Sequence, residues 1–161
     1  MSLLCIGLVH GVSKKHAERL RDKLTDFAKS VGIGVQFAGF DYEPLMNSYA
    51  IGKNAFAFNI ADNFKYLNCE NLLCPDWCNV HEADQRGPLS ERLKKIQMMF
   101  KYSFEYGNEA ELFIGECGSL VTEFRVIDTS LQDMCDDITT AYYEEAIGGE
   151  PSVRLLIKNA P

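Results

Sequence analysis

The chain has 161 residues, a length that fits one domain and allows most of its apolar surface to be buried without covalent staples. Hydrophobic residues make up 47% of it and charged residues 24%, which excludes a disordered chain. The net charge of −7 weighs against nucleic acid and anionic membranes as partners, because both carry charge of the same sign. We predict one domain over residues 1–161.

The start of the chain and its cysteines indicate a compartment. Residues 1–9 form an apolar run without the basic stretch of a signal peptide, and the run is too short to span a membrane. Cys5 and Cys135 fall in phase with apolar neighbours, as buried, reduced thiols do. We therefore expect a cytoplasmic protein.

The first part of the chain predicts a strand, a helix and three further strands. Residues 2–9 are typical of a buried strand, Ser13 is a helix N-cap, and Gly32 ends the helix in the left-handed conformation. Apolar residues recur three and four positions apart along that helix: Ala17, Leu20, Leu24, Phe27, Ala28 and Val31. Alternating apolar residues then predict strands: Ile33, Val35 and Phe37; Tyr49 and Ile51; Phe56, Phe58 and Ile60.

The second part begins with a helix predicted from Gly87-Pro88 to about Tyr106. Residues 112–114 and 120–127 are interpreted as a hairpin. Thr129 or Ser130 caps a last helix that Gly148-Gly149 closes, and residues 152–158 form a final strand. The predicted fold is α+β, a mixed and mostly antiparallel sheet of six or seven strands with three main helices, in the order β-α-β-β-β-α-β-β-α-β. An irregular connector lies at about 61–87.

The connector carries a candidate metal site. Its cysteines and histidine, Cys69, Cys74, Cys78 and His81, could supply the tetrahedral sulphur and nitrogen set that Zn²⁺ prefers. The alternative is a packed connector with reduced thiols, anchored by Trp77. A zinc-stabilised structural module is therefore one hypothesis; otherwise the sequence predicts no cofactor.

A second hypothesis is a small-molecule enzyme. His10 ends the first strand, and His16 lies on the polar side of the first helix, where either could act as a general base. Cys117 lies in a predicted turn and is a candidate nucleophile. A pocket would then combine His10 with Cys117 or a nearby carboxylate. The sequence holds no phosphate loop, nucleophile elbow, zinc-protease motif or dinucleotide fingerprint, which weighs against this hypothesis.

Charge is concentrated in one third of the chain. Residues 103–150 hold twelve acids and Arg125 as their only base, whereas residues 1–31 hold six bases and three acids. An acidic surface attracts a basic protein, and tyrosine is a frequent interface anchor. The alternative is a merely solubilising surface. The partner-binding candidates are Glu105, Glu109, Glu111, Glu116, Glu123, Asp133, Asp136, Asp137, Tyr142, Tyr143, Glu144 and Glu145.

In size, acidity, α+β make-up and lack of a catalytic motif, the whole chain resembles bacterial immunity proteins, the antitoxins that block a cognate toxin, including those of contact-dependent inhibition systems. The resemblance implies stoichiometric inhibition of a basic toxin, often a nuclease, whose active site is covered by carboxylates that stand in for phosphates. A protein-binding inhibitor without enzymatic activity is the leading hypothesis.

Overall fold

The structure is a computed structural model that describes residues 3–37, 55–65, 69, 83–116, 125–141 and 153–159. The strands are β1 Leu3–His10, β2 Gly34–Gln36, β3 Phe56–Ala61, β4 Glu109–Glu116, β5 Arg125–Ser130 and β6 Val153–Lys158. The helices are α1 Lys14–Val31, α2 Ala83–Ser103 and α3 Met134–Thr139. The predicted α+β class and the predicted order of these elements are confirmed.

The six described strands form one sheet in the order β2-β3-β1-β4-β6-β5. Every neighbouring pair is antiparallel except β5 and β6, which run parallel. A parallel pair needs a crossover connection, and α3 lies in the chain between these two strands. The sheet is therefore mixed and mostly antiparallel, as the sequence predicts.

The predicted hairpin between β4 and β5 is wrong. Both strands exist, but β6 lies between them and pairs with each. β6 buries Val153, Leu155 and Ile157, whereas β5 buries little apolar surface and exposes Val126 and other positions. The more apolar strand occupies the inner place because burying its side chains gains more free energy.

The local signals around α1 work as predicted. The Ser13 hydroxyl accepts a hydrogen bond from the His16 amide at 3.3 Å, and Gly32 adopts φ 75° while its amide donates to the Ala28 carbonyl. Leu20, Leu24 and Ala28 are buried on the inner side of the helix. Two caps and one apolar stripe therefore determine where α1 begins, ends and faces.

Two other helix boundaries differ from the prediction. α2 already begins at Ala83, since a proline removes one hydrogen bond of the helix without preventing the turn before it. The N-cap of α3 is Asp133, whose side chain makes no capping bond, while the Ser130 hydroxyl accepts from the Asp133 amide at 3.1 Å. Ser130 thus closes the turn before the helix. The predicted strand at Tyr49 and Ile51 and the predicted end of the last helix at Gly148-Gly149 lie outside the described residues.

The core lies between the sheet and the three helices. One cluster of buried residues joins Cys5 and Val9 of β1 to Leu24 of α1, Phe100 of α2 and Ile138 of α3. The other face of the sheet is buried as well. Its fully buried side chains include Ile6, Leu8, Asn59 and Phe113. A charged cluster lies on this second face.

Candidate functional site

Three charged side chains from three adjacent strands meet on the face of the sheet opposite the helices. His10 of β1 pairs with Glu109 of β4, and Arg154 of β6 pairs with Phe113 of β4. Glu111 lies midway between these two β4 residues and faces the same side, because side chains alternate along a strand. It therefore reaches both charged neighbours along diagonals, a distance that long side chains span.

The Glu111 carboxylate uses both of its oxygens. Oε1 accepts from Arg154 Nε at 2.8 Å and from Arg154 Nη2 at 2.5 Å, and Oε2 accepts from His10 Nε2 at 2.7 Å. The side chain of Glu111 is 9% exposed, that of Arg154 19% and that of His10 26%. The cluster is thus closed around the carboxylate and open at the imidazole.

The arrangement shifts two pKa values in opposite directions. The hydrogen bond to Glu111 raises the pKa of His10 above its ordinary 6.5, although burial opposes this, and Glu109 adds to the rise. Burial acts to raise the pKa of Glu111, but the hydrogen bonds from His10 and Arg154 outweigh it and hold that pKa below the ordinary 4.5. Between these two values the pair is an imidazolium and a carboxylate.

The geometry also orients the His10 imidazole through one of its two ring nitrogens. Nε2–H is held by the Glu111 carboxylate, and Nδ1 has no hydrogen-bond partner among the residues that the structure describes. An oriented and partly exposed imidazole can act as a general acid or base. The same three groups can also serve only as an ionic brace across three strands.

The surroundings of the cluster are apolar on one side and polar on the other. The Arg154 guanidinium lies 5.6 Å from the centroid of the Phe113 ring. Past His10, the Asn108 amide donates to the His10 carbonyl at 3.0 Å, and the Asn108 side chain fills the space beside Gly11, whose φ is 80°. Any side chain larger than glycine at position 11 would meet this amide and require an unfavourable backbone angle.

The residues of the enzyme hypothesis are only partly brought together. His10 does contact a carboxylate, that of Glu111, whereas Cys117 lies outside the described residues. His16 lies on α1 with its ring 5.5 Å from the Tyr106 ring. The structure therefore places one of the two histidines in a charged cluster and the other against an aromatic ring.

The predicted acidic residues are distributed over three places. Asp133 and Asp136 are exposed on α3, and Asp137 accepts a hydrogen bond from the Thr129 hydroxyl at 2.5 Å. Glu105, at the end of α2, pairs with Lys23 of α1, and Glu109 is exposed at the start of β4. Glu111 is the buried centre of the charged cluster.

The rest of the acidic set is not characterised by the structure. Glu116 ends β4. The other partner-binding candidates lie outside the described residues: Glu123, Tyr142, Tyr143, Glu144 and Glu145. The acidic surface that the structure does describe is therefore the one formed by α3 and the adjoining β5.

Of the zinc candidates, Cys69 is fully buried, and Cys74, Cys78 and His81 lie outside the described residues. No group of three metal-ligating side chains occurs in the part of the chain that is described, so the zinc site stays a prediction. Cys5 and Cys135 are free thiols. Burial, with a contribution from Asp136, raises the pKa of Cys135 to about 11, which makes it a poor nucleophile.

The sequence analysis did not identify Arg154 as a site residue. It placed Glu111 on a partner-binding surface, whereas the structure buries Glu111 within the sheet. A signal was present, because Glu111 interrupts a run of apolar residues that belongs to a buried strand. An acid in such a run needs a buried partner. The partners could not be named, since their approach depends on strand order and register.

Among the described helices, none has both the length and the apolar composition needed to cross a bilayer. The fold and the site define an α+β domain with a buried ionic cluster at the centre of a mixed sheet. Comparison of the chain with protein-family models, with curated proteins and with solved structures gives no match in any of the three.

Proposed function

We propose that the chain is an inhibitory binding protein of the immunity type, which neutralises a basic toxin in the cytoplasm through the acidic surface of α3 and β5. The supporting observation is the exposure of Asp128, Asp133 and Asp136 in a segment, residues 125–141, whose only base is Arg125. These carboxylates lie on neighbouring elements, because α3 packs on β5 through the Thr129–Asp137 hydrogen bond.

The charge of this surface favours a basic protein over other partner classes. Carboxylates repel the phosphates of nucleic acids and membranes. They attract a basic protein, raise its rate of encounter and make binding sensitive to salt. Asp133 makes no capping bond with its side chain, so its charge is available to a partner and is not needed to start α3.

The first experiment tests inhibition itself. The protein encoded next to this chain's gene is produced in a bacterial host, alone and together with the chain. We expect growth arrest by the neighbour alone, growth restored by the chain, and a one-to-one complex of the two purified proteins. A neighbour that is harmless, or whose toxicity the chain leaves unchanged, would contradict the proposal.

The second experiment tests the surface. The double substitution Asp133→Lys and Asp136→Lys is expected to slow association with the basic neighbour about 10- to 100-fold at low salt, measured by stopped-flow fluorescence. The matched control reverses two exposed acids of α1, Glu18→Lys and Asp22→Lys, and should change the rate much less. Equal rates for the two double variants would rule out the α3–β5 surface.

One observation favours a second candidate, an enzyme that uses His10. Its imidazole is oriented by Glu111 at 2.7 Å and remains partly exposed. Replacement of His10 by Gln distinguishes the two functions. An inhibitor should still bind and neutralise its partner with unchanged stoichiometry, whereas an enzyme should lose its protective effect in the host although the fold is retained.

A further inference from the structure

The two edge strands of the described sheet, β2 and β5, differ in length and in exposure. At one edge, β2 has only three residues, and Gly34 and Val35 are buried. The carbonyl oxygen of Asn63 lies 2.0 Å from the place where a Cβ of Gly34 would be, and the Gln36 side chain donates to the Phe64 carbonyl at 3.2 Å. The turn after β3 therefore packs on the face of β2, and the shortness of β2 leaves few outward-pointing backbone groups at this edge.

The opposite edge of the described sheet is formed by β5. Val126 is 50% exposed and Asp128 is exposed as well, and both face away from the helices. Within the described residues β5 pairs with β6 alone. Alternate N–H and C=O groups of a strand that is paired on one side point outward, where another strand can bind them. An exposed valine on such an edge adds apolar surface that a partner can bury.

The charges around this edge favour a basic segment over a second copy of the chain as the binding partner. α3 packs on the helix side of β5 and exposes Asp133 and Asp136, while Asp128 lies on the other side. A second copy of the chain would bring the same acids of both copies together, and like charges at a strand pair destabilise it. A basic segment whose positive side chains lie on the helix side of the strand meets Asp133 and Asp136 there, and Arg125 is the only base of residues 125–141.

We propose that β5 is a docking edge to which a basic partner adds an extended segment as a further strand, with lysine or arginine side chains toward α3 and apolar side chains beside Val126. The proposal rests on the proposed function for the basic character of the partner. Backbone hydrogen bonds along the edge would supply affinity, and the alternating side chains would supply specificity.

The probe is an eight-residue peptide of alternating lysine and valine, acetylated and amidated at its ends. At saturating peptide and low salt, we expect alternate backbone amides among residues 126–130 to exchange with solvent at least about tenfold more slowly, measured by NMR. The amides of β2 serve as an internal control and should not change. Unchanged exchange along β5, or a failure of the peptide to bind, would overturn strand addition.

Two single variants separate strand addition from general attraction. Val126→Lys and Gln132→Lys each add one positive charge to residues 125–141, but only position 126 lies on the edge strand, and Gln132 is exposed in the turn before α3. Strand addition predicts that Val126→Lys weakens peptide binding at least about tenfold more than Gln132→Lys. Equal weakening would contradict it.

Binding of the same peptide distinguishes a failure of strand addition from a failure of the proposed function. If Asp133→Lys and Asp136→Lys abolish peptide binding while β5 exchange never changes, the acidic surface stands and strand addition is wrong. If β5 amides are protected and these charge reversals have no effect, strand addition stands and recognition by the acidic surface is wrong.

Discussion

At the scale of single residues, Glu111 is a buried carboxylate with both oxygens hydrogen-bonded. A carboxylate that is almost removed from water would be costly by itself, and three hydrogen bonds from His10 and Arg154 offset that cost. Arg154 donates both of its hydrogen bonds to one oxygen and leaves the other for the imidazole. The protonation of His10 is therefore linked to the stability of the sheet.

We predict a pH-dependent loss of stability when His10 is replaced by Gln. The raised pKa of His10 means that its contribution is complete below about 6.5 and is lost as pH rises through the folded-state pKa. The lowered pKa of Glu111 means that its contribution is complete above about 4.5 and is lost as pH falls through the folded-state pKa. The difference in the free energy of unfolding between wild type and variant should be largest from about pH 4.5 to 6.5.

Urea denaturation at a series of pH values measures this difference. As a control, the His10→Gln substitution is made in a Glu111→Gln background, where the imidazole has lost its carboxylate. The double variant is compared with the Glu111→Gln single variant. There the difference between the two proteins should no longer peak in the acidic range. A peak that persists in this background would show that another group holds the imidazole.

At the scale of elements, α1 shows how local chemistry alone can define a helix. Ser13 and Gly32 satisfy amides and carbonyls that the helix leaves unpaired at its two ends. Between them, an apolar stripe meets the core. β5 shows the reverse case. Its sequence predicts a strand but does not specify which strand it pairs with, and its contacts with β6 and α3 determine its position in the sheet.

Substitution of Gly32, at the end of α1, tests the cost of backbone strain without a steric clash. A Cβ at Gly32 would meet no atom within 4 Å, so any cost of a substitution comes from the positive φ of 75°. Gly32→Ala should lower the free energy of unfolding by about 1 kcal/mol, since L-residues disfavour the left-handed region. Gly32→Asn should cost clearly less, because asparagine tolerates this conformation.

Thermal or urea denaturation of the two variants side by side checks the ranking. If alanine and asparagine cost the same, the left-handed backbone of Gly32 would not be the source of the effect. A much larger loss for both would point to a contact at this position that the open surroundings do not contain.

At the scale of the whole molecule, the sheet is protected most at its centre. β1 and β4 are each paired on both sides and buried on both faces, whereas β5 is an edge strand of the described sheet. Opening the centre requires the helix-side core and the ionic cluster to separate together. Opening β5 exposes less apolar surface.

Native-state amide exchange should therefore follow the strand order. We expect the amides of β1 and β4 to exchange with free energies close to that of global unfolding, and those of β5 to exchange through smaller openings. The measurement is NMR-detected exchange of the free protein, with α1 as a further reference element. If β5 were as strongly protected as β1, its outer edge would have to be covered in solution.

The fold class and element order were accessible from the sequence because their signals are local. Alternation at Phe56, Phe58 and Ile60 and the three-four spacing along α1 are read over a few residues, and so are the caps at Ser13 and Gly32. The boundaries of α2 and α3 were less accessible, since a proline at position 88 and a hydroxyl at position 130 each permit more than one start.

Strand order and the ionic cluster were decided only by the tertiary structure. The predicted pairing of β4 with β5 followed from their adjacency in the chain, but the more apolar β6 gains more by taking the inner place. That insertion is also what brings Arg154 to Glu111, across more than forty residues of chain. Sequence alone determined which segments are helices and strands and where charge accumulates; contacts between distant segments depend on which packing buries the most apolar surface, and no local pattern encodes that choice.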